Sequence, residues 1–135
     1  MAKAKTNYTY AIGRRKRSSA RIRLYKGSGI NLINGKKISE IYQGKVPEIV
    51  ISKPFKLTDT EGKYFFTARV VGGGKEGQLE AIVHGISRAL VGVNSEKFRS
   101  VLKDNNLLTR DPRARLRRMV GTGGKARRKK QSPKR

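Results

Sequence analysis

The stretch KYFFTARVVGGGKEGQLEAIVHGISRAL, residues 63–90, decides the fold, because the spacing of its apolar residues changes part-way along. Residues 63–71 alternate and are rich in β-branched and aromatic side chains, which predicts a central strand. After the three glycines at positions 72–74, a spacing of three and four residues indicates the apolar stripe of an amphipathic helix. That stripe consists of Leu79, Ile82, Val83, Ile86, Ala89 and Leu90.

A second strand is predicted upstream, in SARIRLYKGSG at residues 19–29. There the side chains of Ile22 and Leu24 point to one face of the strand. The other face carries Arg21, Arg23 and Tyr25. One face can therefore pack against a core while the other meets phosphate.

Turn and cap signals complete the domain. The Asn34-Gly35 pair predicts a type I′ hairpin between two short strands. Pro47 favours the first turn of a short helix over residues 46–52, which we expect to end before Pro54. Ser95 fits the N-cap of a last helix. The inward-facing residues of that helix are Phe98, Val101 and Leu102.

The order of these elements predicts the fold class. Strands, a short helix, a strand, a long helix and a final helix indicate an α+β domain with helices packed on one face of a single sheet. Pro112 closes the globular part, because it cannot continue a helix and no apolar period resumes beyond it. We expect residues 1–112 to form a globular domain. Residues 113–135 are expected to form an extended basic tail.

The charge balance predicts the partner. Lys and Arg number 33 against 9 Asp and Glu, which gives a net charge of +24 and a pI near 11.2. Residues 113–135 hold seven Arg and four Lys without an acid, and residues 13–23 hold six basic residues without one. A fold with this charge repels itself unless a polyanion neutralises it. Nucleic acid is the first candidate partner, and an anionic membrane surface is the second. We therefore expect residues 1–112 to be an RNA-binding domain and the tail, residues 113–135, to be disordered without RNA.

Other classes of protein are disfavoured. No apolar run reaches the roughly eighteen residues that span a bilayer, and the start, MAKAKTNYTY, lacks a secretory signal. The absence of cysteine excludes disulfides and thiolate metal sites, and we expect an intracellular location. His84 is the only histidine, and no nucleophile has a base partner that the sequence supports. We therefore expect no catalytic residue, no metal and no cofactor.

The loop VGGGKEGQ, which leads from the strand into the long helix, allows three interpretations. A nucleotide site is the weakest, because Gln78 follows Gly77 where a P-loop has Lys, and the dinucleotide fingerprint fits only formally. The second is an RNA phosphate held by Gly73, Gly74 and Lys75 at the helix N-terminus. The third is a simple flexible turn.

Two further groups of residues stay open between packing and binding. Glu80, His84 and Arg88 lie four residues apart on one helical face, which is either a solvated polar face or an RNA contact through His84 and Arg88. Tyrosines flank the first basic patch, where they either stack on unpaired bases or pack within strands. They are Tyr8, Tyr10 and Tyr25.

Several stretches together resemble the family of bacterial small-subunit ribosomal protein nine. YAIGRRKRSSARIRL at residues 10–24 is similar to the family's Arg-rich segment, and VVGGGKEGQLEAIVHGISRAL at residues 70–90 is similar to its glycine-to-helix block. The Asn34-Gly35 hairpin, LTRDPR at residues 108–113, and KARR at residues 125–128 with Lys134-Arg135 also match. The resemblance covers nearly the whole chain, in order and at compatible spacing.

The resemblance implies a domain like domain two of ribosomal protein five, with a left-handed βαβ crossover and an extended basic C-terminal tail. It implies a non-enzymatic, structural role in the head of the small ribosomal subunit, in the cytoplasm or in an organelle. The implied partners are small-subunit rRNA, neighbouring ribosomal proteins and the anticodon stem-loop of P-site tRNA, with no membrane. The chain departs from the family pattern at Ser132-Pro133, where the family commonly has an aromatic residue and Ser.

The candidate site follows from the basic patches, the loop and the resemblance. By their match to the family's end, Lys134 and Arg135 are the candidates for contact with tRNA. The candidate rRNA-binding residues are Arg14, Arg15, Lys16, Arg17, Arg21, Arg23, Gly73, Gly74, Lys75, His84, Arg88, Arg110, Arg113, Arg115, Arg117, Arg118, Lys125, Arg127, Arg128, Lys129 and Lys130.

The main alternative is the protein subunit of ribonuclease P, which assists cleavage of precursor tRNA. That protein shares the broad fold, the size and the strong positive charge, but its helical Arg-rich signature is not present in this sequence. A DNA-compacting protein is a third possibility. It is disfavoured because the basic residues concentrate in one tail and one strand.

Overall fold

The computed structural model describes residues 7–123 of the chain. Its elements follow the predicted order of strands, short helix, strand, long helix and final helix. From the N-terminus they are β1 (Tyr8–Arg15), β2 (Ser18–Lys26), β3 (Leu32–Ile33), β4 (Lys36–Lys37), α1 (Ile38–Ile41), α2 (Lys45–Leu57), β5 (Tyr64–Val71), α3 (Lys75–Val93) and α4 (Ser95–Asp104).

The strands form one mixed sheet in the order β1-β2-β5-β3-β4, so β5 is central as predicted. The pairs β1–β2, β2–β5 and β3–β4 are antiparallel, whereas β3 and β5 are parallel neighbours joined through β4, α1 and α2. Antiparallel register places one buried row against another on the inner face of the sheet. The facing pairs are Ala20–Val70, Ile22–Ala68 and Leu24–Phe66.

The core lies between this inner face and the helices. Helix α3 buries Ile82, Ile86 and Leu90 completely. The ring of Phe55 in α2 stacks on that of Phe66 at a centroid distance of 6.3 Å, so α2 packs on the same face of the sheet. The predicted α+β class, with one sheet and helices on one face, is confirmed for the described residues.

Helix α3 crosses β1 at a point where the two backbones touch. A Cβ at Gly13 would lie 1.9 Å from the carbonyl oxygen of Ala81 and 2.3 Å from the nitrogen of Gly85. A Cβ at Gly85 would lie 2.6 Å from Cγ1 of Ile22. Only glycine permits this approach, and it brings the side chains of α3 to the open edge of β1.

Two predicted helix boundaries are wrong. Helix α2 runs over Lys45–Leu57 and continues through Pro54, instead of ending before it. Pro54 is buried with Ile51 and Phe55, so packing outweighs the loss of one backbone hydrogen bond. The N-cap of α4 is Asn94 and not Ser95, because the Asn94 side chain accepts a hydrogen bond from the Lys97 nitrogen at 3.1 Å.

The predicted hairpin at Asn34-Gly35 is confirmed. Both residues have positive φ, 51° and 80°, as a type I′ turn requires. The Asn34 side chain accepts from the nitrogen of Val70 at 2.8 Å and donates to the oxygen of Val70 at 3.1 Å. The turn is therefore fastened to the central strand.

Candidate nucleic-acid interface

One end of the sheet brings together three parts of the chain that are far apart in the sequence, two basic stretches and the glycine loop that ends at Lys75. We call it the hairpin end: the β1–β2 turn at Lys16 and Arg17, the loop at residues 72–75, and residues 114–123. Residues 114–123 face the turn and the loop across an open concavity of about 1060 Å³. The first basic patch, the glycine loop and the start of the tail therefore form one surface.

Two of the three loop glycines, Gly72 and Gly73, are required by packing against the β1–β2 hairpin. Gly72 and Gly73 have φ of 76° and 63°, in the left-handed region. A Cβ at Gly73 would lie 2.1 Å from the Ser18 hydroxyl oxygen, and one at Gly72 would lie 2.7 Å from the Arg17 carbonyl oxygen. The Ser18 hydroxyl donates to the Gly72 carbonyl at 3.0 Å. These contacts fix the conformation of the loop, and they place the start of α3 beside Lys16 and Arg17.

Helix α3 begins at Lys75 with Gly74 as its N-cap, and no side chain caps its first turn. Nothing lies within 4 Å of a Cβ built on Gly74, and Lys75 is exposed. The N-terminus of a helix attracts anions through its backbone N–H groups and its dipole. This geometry is compatible with the predicted phosphate contact at Gly73, Gly74 and Lys75.

The segment that leads into the tail is fastened to the domain by charged groups, which we call the Asp111 network: Arg15, Glu80, Asp111 and Arg113. The Nε of Arg15 pairs with Glu80, and its Nη2 lies 3.4 Å from Oδ2 of Asp111. The Nη1 of Arg15 donates to the carbonyl oxygen of Arg113 at 2.6 Å. With only 12% of its side chain exposed, Arg15 acts inside the fold.

Arg113 holds Asp111 ionised. Its Nε donates to Oδ1 at 3.1 Å, its Nη2 donates to Oδ2 at 2.8 Å, and its backbone nitrogen donates to Oδ1 at 3.0 Å. These hydrogen bonds hold the pKa of Asp111 well below its usual range. The Arg110 guanidinium donates in turn to the carbonyl of Lys16 at 3.3 Å. The tail therefore leaves the domain beside the β1–β2 turn.

His84 bridges two parts of the chain instead of lying on a solvated face. Its Nδ1 accepts from the backbone nitrogen of Arg14 at 3.2 Å, and its Nε2 lies 3.3 Å from the carbonyl oxygen of Leu108. Both bonds form when the ring is neutral with its proton on Nε2. Burial, together with the charges of Arg88 and Arg110, lowers the pKa of His84.

Arg88 also forms a hydrogen bond to the open edge of β1. Its Nη1 donates to the carbonyl oxygen of Ile12 at 2.6 Å. His84 and Arg88 thus bond the unpaired backbone groups of an edge strand, which would otherwise be a template for pairing with another chain. The guanidinium remains exposed, so a further contact to phosphate is sterically open.

Comparison with known proteins gives the family. The sequence matches the family described as ribosomal protein S9/S16 over residues 13–135. The chain belongs to this family. The resemblance inferred from the sequence motifs is thereby confirmed.

Individual bacterial relatives match most of the chain. It is 44% identical over 118 residues to the small ribosomal subunit protein uS9 of Maridesulfovibrio salexigens, covering 87% of this chain and 90% of the relative. It is 45% identical over 116 residues to the uS9 of Lawsonia intracellularis, covering 86% and 88%. For the uS9 of a Dehalococcoides mccartyi strain the identity is 44% over 117 residues, covering 87% and 88%.

Family membership also tells whether the protein is an enzyme. The S9 family is one of structural ribosomal proteins, so the prediction that the chain is not an enzyme is confirmed. Among the described residues, no helix combines the length and the hydrophobicity needed to cross a bilayer. No cluster of three or more His, Cys, Asp or Glu within residues 7–123 is arranged to hold a metal ion.

The structure distributes the candidate rRNA-binding residues among four places. The hairpin end brings together Lys16, Arg17, Gly73, Gly74, Lys75, Arg115, Arg117 and Arg118. Arg14 lies at the open edge of β1, beside His84 and Arg88. The hydrogen bonds and ion pairs that hold residues 107–113 against the domain involve Arg15, Arg110 and Arg113. Those at the open edge of β1 involve His84 and Arg88. Arg21 and Arg23 lie apart, on the outer face of the sheet. Lys125, Arg127, Arg128, Lys129, Lys130, Lys134 and Arg135 lie outside the described residues.

Sequence reasoning missed the place of Arg69, an exposed cation in the central strand. Arg69 in β5 lies directly opposite Arg21 in the register of β2 and β5. The signal was present in the alternation of residues 63–71, because the neighbours Ala68 and Val70 are buried and Arg69 must point away from the core. Arg69 adds a third arginine to the outer face of the sheet.

Proposed function

We propose that this protein is a structural constituent of the small ribosomal subunit that binds rRNA through its hairpin end and its basic tail. One observation carries the proposal: two basic stretches, separated by about a hundred residues, meet beside the glycine loop at one end of the sheet. The names of the bacterial relatives, small ribosomal subunit protein uS9, support it.

The physical reason is charge repulsion. Lys16 and Arg17 from the hairpin and Arg117 and Arg118 from the tail border the same concavity. Cations held this close together repel one another, and the phosphates of an RNA backbone relieve the repulsion by replacing the ions around the RNA. Arginine clamps a phosphate with two parallel hydrogen bonds, whereas lysine acts as a point charge. We expect contacts to backbone and shape, with little readout of base sequence.

The finer parts of the proposal follow the family resemblance. The protein lies in the head of the subunit, beside other ribosomal proteins, in a cytoplasmic or an organellar ribosome. The connection from β3 to β5 is a left-handed βαβ crossover. Residues 1–112 anchor the protein on rRNA, and residues 113–135 follow rRNA as an extended tail.

The tail carries the proposed contact to tRNA. Its exit point is fixed beside the hairpin end by Arg15 and Asp111. About fifteen extended residues from Gly121 span on the order of 50 Å, which is far beyond the surface of a domain of this size. Lys134 and Arg135 would then reach the anticodon stem-loop of a P-site tRNA.

Small subunits reconstituted without this protein provide the test. Adding the full chain is expected to restore its co-sedimentation with the subunit and the binding of P-site tRNA. Replacing both Lys134 and Arg135 by Gln should leave co-sedimentation intact and weaken tRNA binding several-fold. The matched control replaces Lys129 and Lys130 by Gln, which removes the same charge further from the end and should leave tRNA binding nearly unchanged.

Two outcomes would contradict the proposal at different levels. A full chain that does not enter small subunits would overturn the ribosomal role. Equal tRNA binding with the two double variants would overturn the assignment of Lys134 and Arg135, leaving the role in rRNA binding in place.

A further inference from the structure

The outer face of the sheet carries like charges that nothing in the sheet neutralises. Arg21 and Arg69 lie directly opposite each other on neighbouring antiparallel strands, and Arg23 lies on the same face two residues along. Like charges in directly opposed positions destabilise a sheet. The strands of the described sheet contain no Asp or Glu. An anion placed between the arginines would relieve this repulsion.

Aromatic rings occupy the other half of the same face. Tyr8 and Tyr25 are tilted at a centroid distance of 5.6 Å, and Tyr25 stacks on Phe65 at 5.0 Å. The guanidinium of Arg23 lies 5.2 Å from the centre of the Tyr8 ring. Of the two alternatives for the tyrosines, stacking on bases or packing within strands, these contacts favour packing for Tyr8 and Tyr25.

Tyr10 differs from these two tyrosines. It lies opposite Arg23 in the register of β1 and β2, between the aromatic row and the arginines, and 51% of it is exposed. Large aromatic residues that remain half exposed beside arginines can accept a base on the ring face. Tyr10 is the aromatic residue of this face that is positioned to do so.

The face is concave. The turn at Asn34-Gly35 borders it on one side, and together with Tyr8, Tyr10 and the three arginines it lines a space of about 930 Å³. The Asn34 side chain is engaged by Val70, so the turn is a fixed wall. A space of this size lies within the range of small-molecule pockets, about 300–1,000 Å³.

We propose that this outer sheet face binds a short unpaired stretch of RNA, with a phosphate between Arg21 and Arg69 and a base stacked on Tyr10. The proposal rests on the proposed function, since it specifies the form of RNA that this face takes. An unpaired strand fits because its bases can be splayed out and stacked on side chains. The bases of a duplex are stacked on each other and cannot cover Tyr10.

Equilibrium binding of a short oligouridine and of a blunt RNA duplex to the full-length protein tests this proposal. The basic tail contributes to both affinities, so the ratio of the two affinities isolates the sheet face. Tyr10→Val, which keeps a strand-forming side chain, is expected to lower the affinity for oligouridine about tenfold and leave the affinity for duplex unchanged. Tyr10→Phe, which keeps the ring, should behave like the unaltered protein.

Arg69→Gln tests the phosphate position. It should reduce the slope of log affinity against log salt for oligouridine by about one. The matched control is Arg99→Gln on the exposed surface of α4, which removes the same charge and should leave that slope unchanged. Because Arg69 faces a like charge, Arg69→Gln should not lower the thermal midpoint, which separates loss of binding from loss of fold.

Two results would contradict the proposed binding of unpaired RNA to this face. If Tyr10→Val left the ratio of affinities unchanged while the unaltered protein still bound oligouridine, the aromatic face would be a surface for a protein neighbour, and the inference would be wrong. Equal effects of Arg69→Gln and Arg99→Gln would also overturn it. Failure of the unaltered protein to enter small subunits would instead count against the proposed function.

Discussion

The crossing of α3 over β1 and the fastening of residues 107–113 hold the protein together in different ways. At the crossing, Gly13 and Gly85 bring two backbones into contact above a buried apolar sheet face. In the fastened segment, ion pairs and hydrogen bonds from Arg15, His84 and Arg110 hold exposed or half-buried chain.

The two regions therefore respond differently to solution conditions. Steric fit and apolar burial depend little on salt or on pH near neutrality, so the domain should keep its fold when its partners change. Ion pairs near the surface are screened by salt and depend on protonation. The direction in which the tail leaves the domain is therefore the part that solution conditions can alter.

The largest expected effect comes from breaking the crossing. Gly85→Ala places a methyl group against Ile22 and near the backbone of Gly13, which has little room to give. We expect a loss of unfolding free energy at the upper end of the range of about 1–3 kcal/mol for overpacking. Denaturant unfolding of Gly85→Ala and of the unaltered protein measures this loss of unfolding free energy. The matched control is Gly74→Ala, which meets open space at negative φ and should change stability by no more than about 0.5 kcal/mol.

Breaking the Asp111 network should alter the tail and spare the core. Asp111→Asn removes the charge that Arg15 and Arg113 share, so trypsin should cleave after Arg113 several-fold faster while the thermal midpoint stays nearly constant. Asp104→Asn, on the exposed end of α4, is the control and should leave the cleavage rate unchanged. Unchanged cleavage in Asp111→Asn would show that the network does not fasten the segment.

Protonation of His84 should produce a smaller effect with a definite sign. Its native pKa lies below the ordinary value of 6.5, so the unfolded chain takes up the proton first as the pH falls. Stability should therefore be complete above about pH 7, decline as the pH falls through 6.5, and level off below the native pKa.

His84→Gln isolates that effect, because the chain has one histidine. A glutamine amide can accept from Arg14 and donate to Leu108 without titrating. Thermal unfolding between about pH 5.5 and 8 should show a decline for the unaltered protein and a flatter profile for the variant. Identical profiles would refute the bridging role of a neutral imidazole.

Much of the fold was predictable because its signals are local. The period change at residues 63–90 and the Asn34-Gly35 turn correctly predicted the central strand, the long helix and the hairpin. Pro54 misled the prediction, because the rule for proline near a helix end concerns the backbone and not the burial of its ring. The cap of α4 was assigned to Ser95 instead of its neighbour Asn94, because Ser and Asn have nearly the same capping preference.

The candidate site was predictable in composition but not in arrangement. The basic stretches were identified from charge alone, yet their meeting at the hairpin end depends on long-range contacts such as Arg110 to Lys16. Charge density likewise could not separate Arg15, which acts inside the fold, from Lys16 beside it, which is exposed. Arg69 was missed because it is a lone cation in an apolar strand.

The salt dependence of rRNA binding shows whether the hairpin end binds RNA through charge. With about six phosphates neutralised, log affinity should fall against log salt with a slope of roughly −4 to −5. Replacing Lys16 and Arg17 by Gln should make this slope shallower by about two. The same change at Lys97 and Arg99, an exposed Lys and Arg pair on α4, should leave it unchanged. Equal slopes for the two double variants would show that Lys16 and Arg17 do not bind RNA through their charge.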